Sequence, residues 1–443
     1  MKRESLPIPV AVPDVHLHHA RRARLAKQLK RGLLLLPTSR EAMRNADSNY
    51  EFRWDSSFFY LTGFREPEAV LAIQLGAKPK HILFCREKNL EREIWDGFRF
   101  GPAQAAETFR FDAAFSYDDL DEHIPKLMAD AGVVHTVLGT NKVWDESVTR
   151  WLNKVRGDSR SGIEAPVEIH DVSRAIGQMR LIKDASEIAL MQRANDISSR
   201  AHERAMRAAK AGMREYEIEA ELMHEFIRCG ARQPAYGSIV ATGANACVLH
   251  YQENRAELKP GDLLLIDAGC ELDSYAADIT RTFPVDGTFT GPQRDIYNIV
   301  LDTQLACIRA LKPGASVGRY RDVAVRVLSQ GLIDLKLCKG SLDGVIESGA
   351  YRQFYMHGAG HWLGLDVHDA GDYKQGGQWI KLAPGMVVTV EPGLYFHPAA
   401  NVPKRFWDIG VRIEDDVLVT KTGTRNLTSC VKRVEDIEAL MRG

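Results

Sequence analysis

Two aspartates at the ends of apolar segments constrain this chain more than any other feature. The stretch LLLIDAGCELDSYAADITRTF covers residues 263–283, and its opening apolar run over 263–266 predicts a buried strand. Asp267 ends that run, and Asp278 follows eleven residues later among apolar and β-branched neighbours. An ionised carboxylate is costly to bury unless it is paired or coordinates a metal. The stretch therefore indicates either buried ion pairs or a metal site.

The length of the chain and the change of pattern along it predict two domains. At 443 residues the chain is longer than one typical core can organise. In the first third, short apolar strands alternate with amphipathic helices, which is typical of an α/β domain. From about residue 177, long helices accompany a largely antiparallel set of strands, which is typical of an α+β domain. We expect domains over 1–176 and 177–443, with the polar segment 156–171 at their boundary.

The pattern also predicts individual elements. In the first domain we expect helices over 17–31 and 118–131, and strands over 32–37, 69–75, 81–85 and 133–139. In the second domain, the capping-box pairs Asp184 with Glu187 and Thr290 with Gln293 each predict the start of a helix. Further helices are expected over 214–230 and after Ser316. The strands expected there cover 237–242, 263–268, 278–284, 386–391 and 411–420.

Charge and cysteine content exclude several classes of protein. The 58 Lys and Arg residues balance 59 Asp and Glu residues, so no overall field favours nucleic acid or an anionic membrane. No stretch approaches the roughly 20 apolar residues of a membrane span. The seven cysteines are scattered without a CxxC pair, which argues against a disulfide framework and a structural zinc site. The start, MKRESLPIPVAVPDVHLHH, lacks the apolar core of a signal peptide, so we expect a cytoplasmic protein.

One internal similarity links two acidic residues. KPGDLLLIDAG (259–269) and APGMVVTVEPG (383–393) share a Pro-Gly turn, an apolar run, and an acid seven residues after the proline. The acids are Asp267 and Glu391. Two interpretations remain open: two similar turn–strand–turn pieces, or a duplicated half-domain that contributes one acid from each half to a shared centre.

A histidine-rich segment adds a further candidate. HGAGHWLGLDVHD (357–369) carries three histidines among glycines and apolar residues. His357 and His361 have the spacing of a zincin helix, but Gly358 stands where that motif needs its catalytic glutamate. The glycines also argue against a helix. A core histidine is an adequate interpretation of any one of the three, but not of all three together.

Four carboxylates and one imidazole in apolar or glycine-rich surroundings form a candidate ligand set: Asp267, Asp278, His361, Glu391 and Glu414. Singly, an acid such as Asp267 is typical of a turn, and Glu414 is compatible with an exposed strand edge. Together these hard ligands suit Mn²⁺ or a similar ion, while Zn²⁺ and Co²⁺ also fit. Two cations about 3.5–4 Å apart would neutralise the four acids, activate water and polarise a carbonyl, which favours hydrolysis.

The same segments resemble the binuclear metallopeptidases of the pita-bread fold, and specifically the Xaa-Pro aminopeptidases (aminopeptidase P). The resemblance is carried by IDAGCELDSYAADITRTF, HGAGHWLGLDVHD, VEPGLY, GVRIEDD, the N-terminal segment 44–71 and the C-terminal NLTSCVKRVEDIEALM. It covers nearly the whole chain. It implies an α+β pita-bread catalytic domain with pseudo-twofold halves, preceded by a smaller α/β, creatinase-like domain.

The resemblance also implies roles for single residues. Asp267 and Asp278 are expected as metal ligands from one half, Glu391 and Glu414 from the other, with Asp278 and Glu414 bridging two ions and His361 binding one. Glu391 is further expected to accept the proton of the bridging water.

Other residues are expected around those ligands. His250 and His368 would contact the scissile carbonyl or the developing oxyanion, and Tyr236 would contact substrate. His357 would help to shape the pocket for proline. Arg412 and Tyr395 are expected to orient the ligating acids.

The implied reaction is hydrolysis of the bond between an N-terminal residue and a penultimate proline by a hydroxide that bridges two divalent ions. Mn²⁺ is the expected metal, with Co²⁺ or Zn²⁺ as alternatives. Because an X-Pro bond lacks the N–H group that many proteases bind, such a site must recognise the proline ring and its carbonyl. The N-terminal domain would limit the groove, with Asp47 and Trp95 as contributors, unless these are an ordinary turn aspartate and a core aromatic residue. The resemblance further implies a homo-oligomer, a dimer or tetramer.

Three alternatives compete with this interpretation. A prolidase shares the metals but cleaves X-Pro dipeptides, and the ligands alone cannot separate the two activities. A creatinase-like hydrolase shares the fold but lacks the full ligand set. A non-catalytic peptide-binding relative is disfavoured because every ligand type is present here.

Overall fold

A computed structural model describes residues 14–443. Residues 1–13, which contain most of the segment assessed for a signal peptide, lie outside the described residues. The chain folds into two compact units, the first ending at Gly177 and the second beginning at Gln178. No helix in the described part of the chain is long and apolar enough to cross a membrane.

Side chains cap the first turns of helices in the N-terminal unit. Asp14 accepts a hydrogen bond from the His16 amide at 3.0 Å, and Asp55 accepts one from the Phe58 amide at 2.7 Å. Such caps satisfy amides that have no partner within the helix. The helices are α1 (Val15–Leu29), α2 (Ser56–Thr62), α3 (Glu93–Asp96), α4 (Gly101–Phe109), α5 (Leu120–Met128), α6 (Lys142–Gly157) and α7 (Ser173–Arg180), which contains the boundary. The two predicted helices are confirmed as α1 and α5, although both end earlier than predicted.

A six-stranded sheet forms the centre of this unit. Its order is β6-β5-β4-β1-β7-β8, and only β4 runs antiparallel to its neighbours. The strands, with a separate β2–β3 hairpin, are β1 (Leu33–Pro37), β2 (Met43–Asn45), β3 (Ser48–Asn49), β4 (Val70–Gln74), β5 (Lys80–Cys85), β6 (Ala113–Ser116), β7 (Val133–Thr136) and β8 (Glu168–Asp171). The four predicted strands are confirmed as β1, β4, β5 and β7. Residues 33–36 of β1 alternate between the two faces yet are all buried, so both faces are covered, as in an α/β domain.

The C-terminal unit contains the long helices. Its first helix begins with a capping box, because Asp184 accepts from the Glu187 amide at 3.0 Å and Glu187 accepts from the Asp184 amide at 2.9 Å. The helices are α8 (Ala185–Ala208), α9 (Glu215–Arg228), α10 (Gly291–Ala310), α11 (Gly318–Asp334), α12 (Leu342–Ser348) and α13 (Val434–Arg442). The four predicted helices are confirmed as α8 to α11, whereas the short α12 and α13 were not predicted.

Two antiparallel ladders, β10-β11-β14 and β17-β20-β21, organise the strands of this unit. The strands are β9 (Gln233–Pro234), β10 (Ile239–Thr242), β11 (Leu263–Asp267), β12 (Cys270–Leu272), β13 (Tyr275–Ala276), β14 (Thr280–Pro284), β15 (Lys374–Gln375), β16 (Gln378–Trp379), β17 (Val387–Val390), β18 (Gly393–Phe396), β19 (Ile409–Arg412), β20 (Asp415–Val419) and β21 (Thr424–Asn426). Helices and antiparallel ladders together confirm the α+β class expected for the C-terminal domain.

One predicted strand is wrong as a continuous element. The segment 411–420 divides into β19 and β20, which pair with different strands, β18 and β17. At the break, the Ile413 amide donates to the Pro392 carbonyl and the Glu414 amide donates to the Thr280 carbonyl. The backbone thus changes partners at Glu414, which a local hydrophobic pattern does not reveal.

The two similar segments identified in the sequence occupy comparable positions. Strand β11 is the centre of one ladder, and β17 pairs with β20 on one side and bridges Trp362 on the other. Asp267 is the last residue of β11, and Glu391 directly follows β17. The duplicated half-domain is therefore the better of the two interpretations.

Candidate metal centre

The four candidate carboxylates lie at or near points where strands begin or end. Asp267 ends β11, Asp278 lies two residues before β14, and Glu391 follows β17. Glu414 occupies the break between β19 and β20. His361 lies on a non-helical segment that runs beside β17. The His361 carbonyl accepts a hydrogen bond from the Thr389 amide at 2.9 Å. The expectation that the glycines of this segment prevent a helix is confirmed.

A glycine allows the first pair of acids to approach each other. In the turn between Asp267 and Asp278, a Cβ on Gly269 would lie 1.8 Å from the carbonyl oxygen of Ala277. Only a residue without a side chain fits there. The Tyr236 hydroxyl lies 2.6 Å from Asp267 Oδ1 and 2.5 Å from Asp278 Oδ1, so the two carboxylates face one point.

The candidate ligand atoms from different segments of the C-terminal unit converge. One ligand atom from each of Asp278, His361 and Glu414 lies within 4.8 Å of the other two. His361 Nε2 is 3.4 Å from Asp278 Oδ2 and 3.7 Å from Glu391 Oε1. The structure therefore brings the five residues predicted as ligands into one cluster.

The electrostatics of the cluster fit a cation. Burial raises the pKa of Asp278, and burial together with the charges of the neighbouring acids raises the pKa of Glu414 well above its usual value. Burial likewise raises the pKa of Glu391 to about 7. For His361, burial is outweighed by the nearby carboxylates, which raise its pKa to about 9. Asp278, Glu391 and Glu414 thus favour their protonated forms in the metal-free chain, and divalent ions would replace those protons.

Asp267 differs because it has its own cationic partner. Burial would raise its pKa, but Arg412, with Nη2 at 2.7 Å from Oδ2, outweighs burial and lowers the pKa below its usual value. Arg412 Nη1 also donates to the Tyr395 hydroxyl at 2.9 Å. Arg412 and Tyr395 were both predicted to orient the acids, and both lie in contact with them or with each other.

His357 ends this chain of hydrogen bonds. Its Nε2 lies 2.8 Å from the Tyr395 hydroxyl, and its Nδ1 lies 2.7 Å from the Gly358 carbonyl. Because a carbonyl only accepts, Nδ1 carries the hydrogen and Nε2 accepts from Tyr395. Burial, aided by the charge of Arg412, lowers the pKa of His357 to about 4, so the ring is neutral.

Glu414 is fixed by contacts on both its side chain and its backbone. The Thr280 hydroxyl donates to Glu414 Oε2 at 2.7 Å and accepts from Arg412 Nε at 3.2 Å. Arg281 donates to the Glu414 carbonyl at 2.7 Å. Arg281 is itself fully buried and pairs with buried Asp415 at 2.8 Å, so this anchor has a compensated charge.

The remaining predicted residues are more exposed. The ring of His368 is in edge contact with that of His361, with centroids 4.2 Å apart, and both His368 and His250 are exposed. In the N-terminal unit, Asp47 lies in the turn between β2 and β3. Trp95 lies on α3 with 80% of its surface exposed, so its interpretation as a core aromatic residue is wrong.

Several residues that contact the cluster were not predicted. Asp416 accepts hydrogen bonds from the Asp278 amide at 3.0 Å and from the Asn195 side chain at 2.8 Å. Thr389 accepts from the His361 amide at 3.0 Å. Thr280 and Thr389 each lie two residues from a candidate ligand, on the same side of an extended chain, and this alternation was a usable signal. Asn195, on α8, had no comparable signal in the sequence.

Two family models match the chain. Residues 189–421 match metallopeptidase family M24, and residues 18–135 match the aminopeptidase P N-terminal domain. The chain is 46% identical to the Xaa-Pro aminopeptidase of Escherichia coli (strain K12) over 426 residues, which cover 95% of this chain and 96% of that protein.

Solved structures are similar over the whole length. Aminopeptidase PepP of Pseudomonas aeruginosa matches with a TM-score of 0.95 at 45% identity, covering 99% of this chain and 98% of that one. Two structures of E. coli aminopeptidase P, one zinc-substituted with product and one with the inhibitor Pro-Leu, match with TM-scores of 0.94 at 44% identity. Each covers 98% of this chain and 99% of the other. The chain therefore belongs to the Xaa-Pro aminopeptidases, the pita-bread metallopeptidases of family M24.

Proposed function

We propose that this chain removes the N-terminal residue from peptides whose second residue is proline, in a reaction that requires two divalent cations held by Asp267, Asp278, His361, Glu391 and Glu414. The observation that carries the proposal is the approach of Asp278, His361 and Glu414 ligand atoms to within 4.8 Å inside a buried, acid-rich cluster. Membership of the Xaa-Pro aminopeptidases supports the substrate class.

The donor set determines what the cations would contribute. Bound there, two divalent ions would polarise the scissile carbonyl and lower the pKa of a water molecule. The residues of the chain hold that arrangement in place, since Arg412, Thr280 and Asp416 fix Asp267, Glu414 and the Asp278 backbone respectively.

Glu391 is the proposed proton acceptor. Its Oε1 lies near His361 Nε2, and its Oε2 lies 3.7 Å from Nδ1 of the neutral His357. A carboxylate in this position takes a proton from the attacking water and returns it to the leaving proline nitrogen.

The exposed side of the cluster is the proposed substrate side. His368, which is in ring contact with His361, and His250 are the proposed donors to the scissile carbonyl and to the oxyanion that forms from it. His357, with Tyr395 and Tyr355 around its ring, is the proposed wall of the proline pocket. Tyr236, whose hydroxyl contacts Asp267 and Asp278, is proposed to contact the substrate as well.

The finer properties of the enzyme are also proposals. Manganese is the proposed metal because four of the five donors are carboxylates, and Zn²⁺ or Co²⁺ are the alternatives. A cytoplasmic location is supported by seven free cysteines in the described chain. A homo-oligomer is supported by Trp95 and Ile94, which expose 80% and 58% of their surfaces on the N-terminal unit. Asp47 and Trp95 are retained as proposed contributors to the substrate groove.

Removal of a bridging acid tests the metal centre. Saturating Mn²⁺ is expected to raise the melting temperature of metal-free wild-type protein, since a ligand at 100 times its Kd stabilises by about 2.7 kcal/mol. Asp278→Ala is expected to abolish both this increase and peptidase activity, as is Glu414→Ala. Asp322→Ala, which removes an exposed acid on α11, serves as the control and keeps both. Activity in the Asp278 variant would contradict the two-metal proposal.

Removal of the His368 imidazole separates catalysis from metal binding. His368→Ala is expected to lower kcat by about 10²–10³-fold, the effect of losing one oxyanion donor. The Mn²⁺-dependent rise in melting temperature is expected to stay at the wild-type value. His224→Ala, an exposed histidine on α9, is the matched control. Unchanged turnover in the His368 variant would remove this residue from the mechanism.

Substrate choice is tested with Arg-Pro-Pro, Arg-Pro and Arg-Ala-Ala and metal-stripped protein, with and without Mn²⁺. Release of arginine from the tripeptide Arg-Pro-Pro alone, and only with metal, is expected. Preference for the dipeptide would instead indicate a prolidase. Absence of cleavage with any divalent ion would indicate a peptide-binding protein without catalysis.

A further inference from the structure

The backbone on both sides of His361 is held by residues outside the ligand set. The Gly360 carbonyl accepts a hydrogen bond from Arg321 Nη2 at 2.7 Å. The Trp362 amide donates to the Tyr373 hydroxyl at 2.8 Å. With the His361 amide bound to Thr389, three consecutive residues each have a fixed backbone group.

Gly360 makes this support necessary. Its φ is +152°, and a Cβ at this position would lie 2.0 Å from the Thr389 carbonyl oxygen. Glycine is therefore required, but glycine also has the greatest backbone freedom of any residue. Because Gly360 directly precedes His361, an external contact to its carbonyl limits rotation of the peptide that carries the ligand.

Arg321 is held in place by aromatic rings. It lies on α11, and its guanidinium carbon is 5.5 Å from the ring centroid of Tyr373 and 5.4 Å from that of Trp379. The Tyr373 ring in turn stacks on Trp362, with centroids 5.2 Å apart. Arg321, Trp362, Tyr373 and Trp379 thus form one contiguous group, which we call the arginine brace.

The contacts of Arg321 differ from those of an arginine that forms a surface ion pair. Within residues 14–443, no carboxylate lies within salt-bridge distance of its guanidinium group, and the strong donor at Nη2 is directed to the Gly360 carbonyl. Arg326, on the same helix, behaves differently: it is exposed and pairs with exposed Asp343 at 3.1 Å. Arg321 is therefore the arginine of this helix that contacts the His361 segment.

We infer that Arg321 is a positioning residue for the metal centre: it fixes the Gly360–His361 peptide so that His361 Nε2 faces Asp278 and Glu391. This inference rests on the proposed role of His361 as a metal ligand. Arg321 itself does not contact the ligand side chains, and its proposed role includes no contact with substrate.

The expected effect is on metal affinity. Mn²⁺ is titrated into metal-free wild type, Arg321→Met, Arg321→Lys and the control Arg326→Met, and melting temperatures are recorded without metal. Arg321→Met is expected to weaken binding by about tenfold, the lower end of the effect of losing residues that orient ligands. Arg321→Lys, which retains a donor without the planar guanidinium group, is expected to lie between wild type and Arg321→Met. Arg326→Met is expected to match wild type.

A double variant separates positioning from general destabilisation. In a His361→Ala background, adding Arg321→Met is expected to leave the residual Mn²⁺ affinity unchanged, since the positioned ligand is gone. Equal weakening in both backgrounds would overturn the inference. A raised KM with wild-type metal affinity would also overturn it, because Arg321 would then act on substrate.

Further results separate failure of the positioning role from misfolding of the variant and from failure of the proposed metal centre. If Arg321→Met does not fold, Tyr373→Phe removes the hydroxyl that binds the Trp362 amide and keeps the ring, and it must weaken Mn²⁺ binding in the same direction. If wild type itself does not bind Mn²⁺, the proposed metal centre fails. Wild-type binding with an unaltered Arg321→Met affinity refutes only the positioning role.

Discussion

Repulsion among four carboxylates is the constraint on which the catalytic unit depends. Asp267, Asp278, Glu391 and Glu414 would separate or take up protons if the chain around them were free to move, because buried like charges interact strongly. One arginine, Arg412, compensates Asp267, and the other three acids have raised pKa values without metal. Divalent cations bound there would complete this balance, so the acidic cluster and the proposed metal requirement have the same physical cause.

The pita-bread fold opposes that repulsion with backbone pairing. Asp267 and Glu391 lie at the ends of strands, Asp278 lies two residues before β14, and Glu414 lies at the break between β19 and β20, where backbone pairing leaves little freedom. Contacts between the halves strengthen the arrangement, as when the Glu414 amide donates to the Thr280 carbonyl and Arg281 donates to the Glu414 carbonyl. The His361 segment has fewer ladder bonds and contains Gly360, and it is here that the arginine brace provides additional support.

The fold class and the clustering of the five candidate residues could be predicted from the sequence because their signals are local. An apolar run that ends in an acid, repeated at Asp267 and Glu391, is visible without a structure, as are the capping box at Asp184 and the histidine-rich segment. Contacts across long sequence separations left no comparable signal. Asn195 and Asp416 are 221 positions apart, and Arg321 reaches Gly360 across 39. The break at Glu414 was missed for the same reason, since the change of strand partner depends on residues far along the chain.

The most direct test of the central claim is the number and spacing of bound cations. Metal-free protein is dialysed against Mn²⁺, its metal content is measured by elemental analysis, and electron paramagnetic resonance spectra are recorded at low temperature. The two-metal proposal predicts two Mn²⁺ ions per chain with an exchange-coupled signal, as expected for ions about 3.5–4 Å apart. A single ion per chain, or two ions without magnetic coupling, would contradict it.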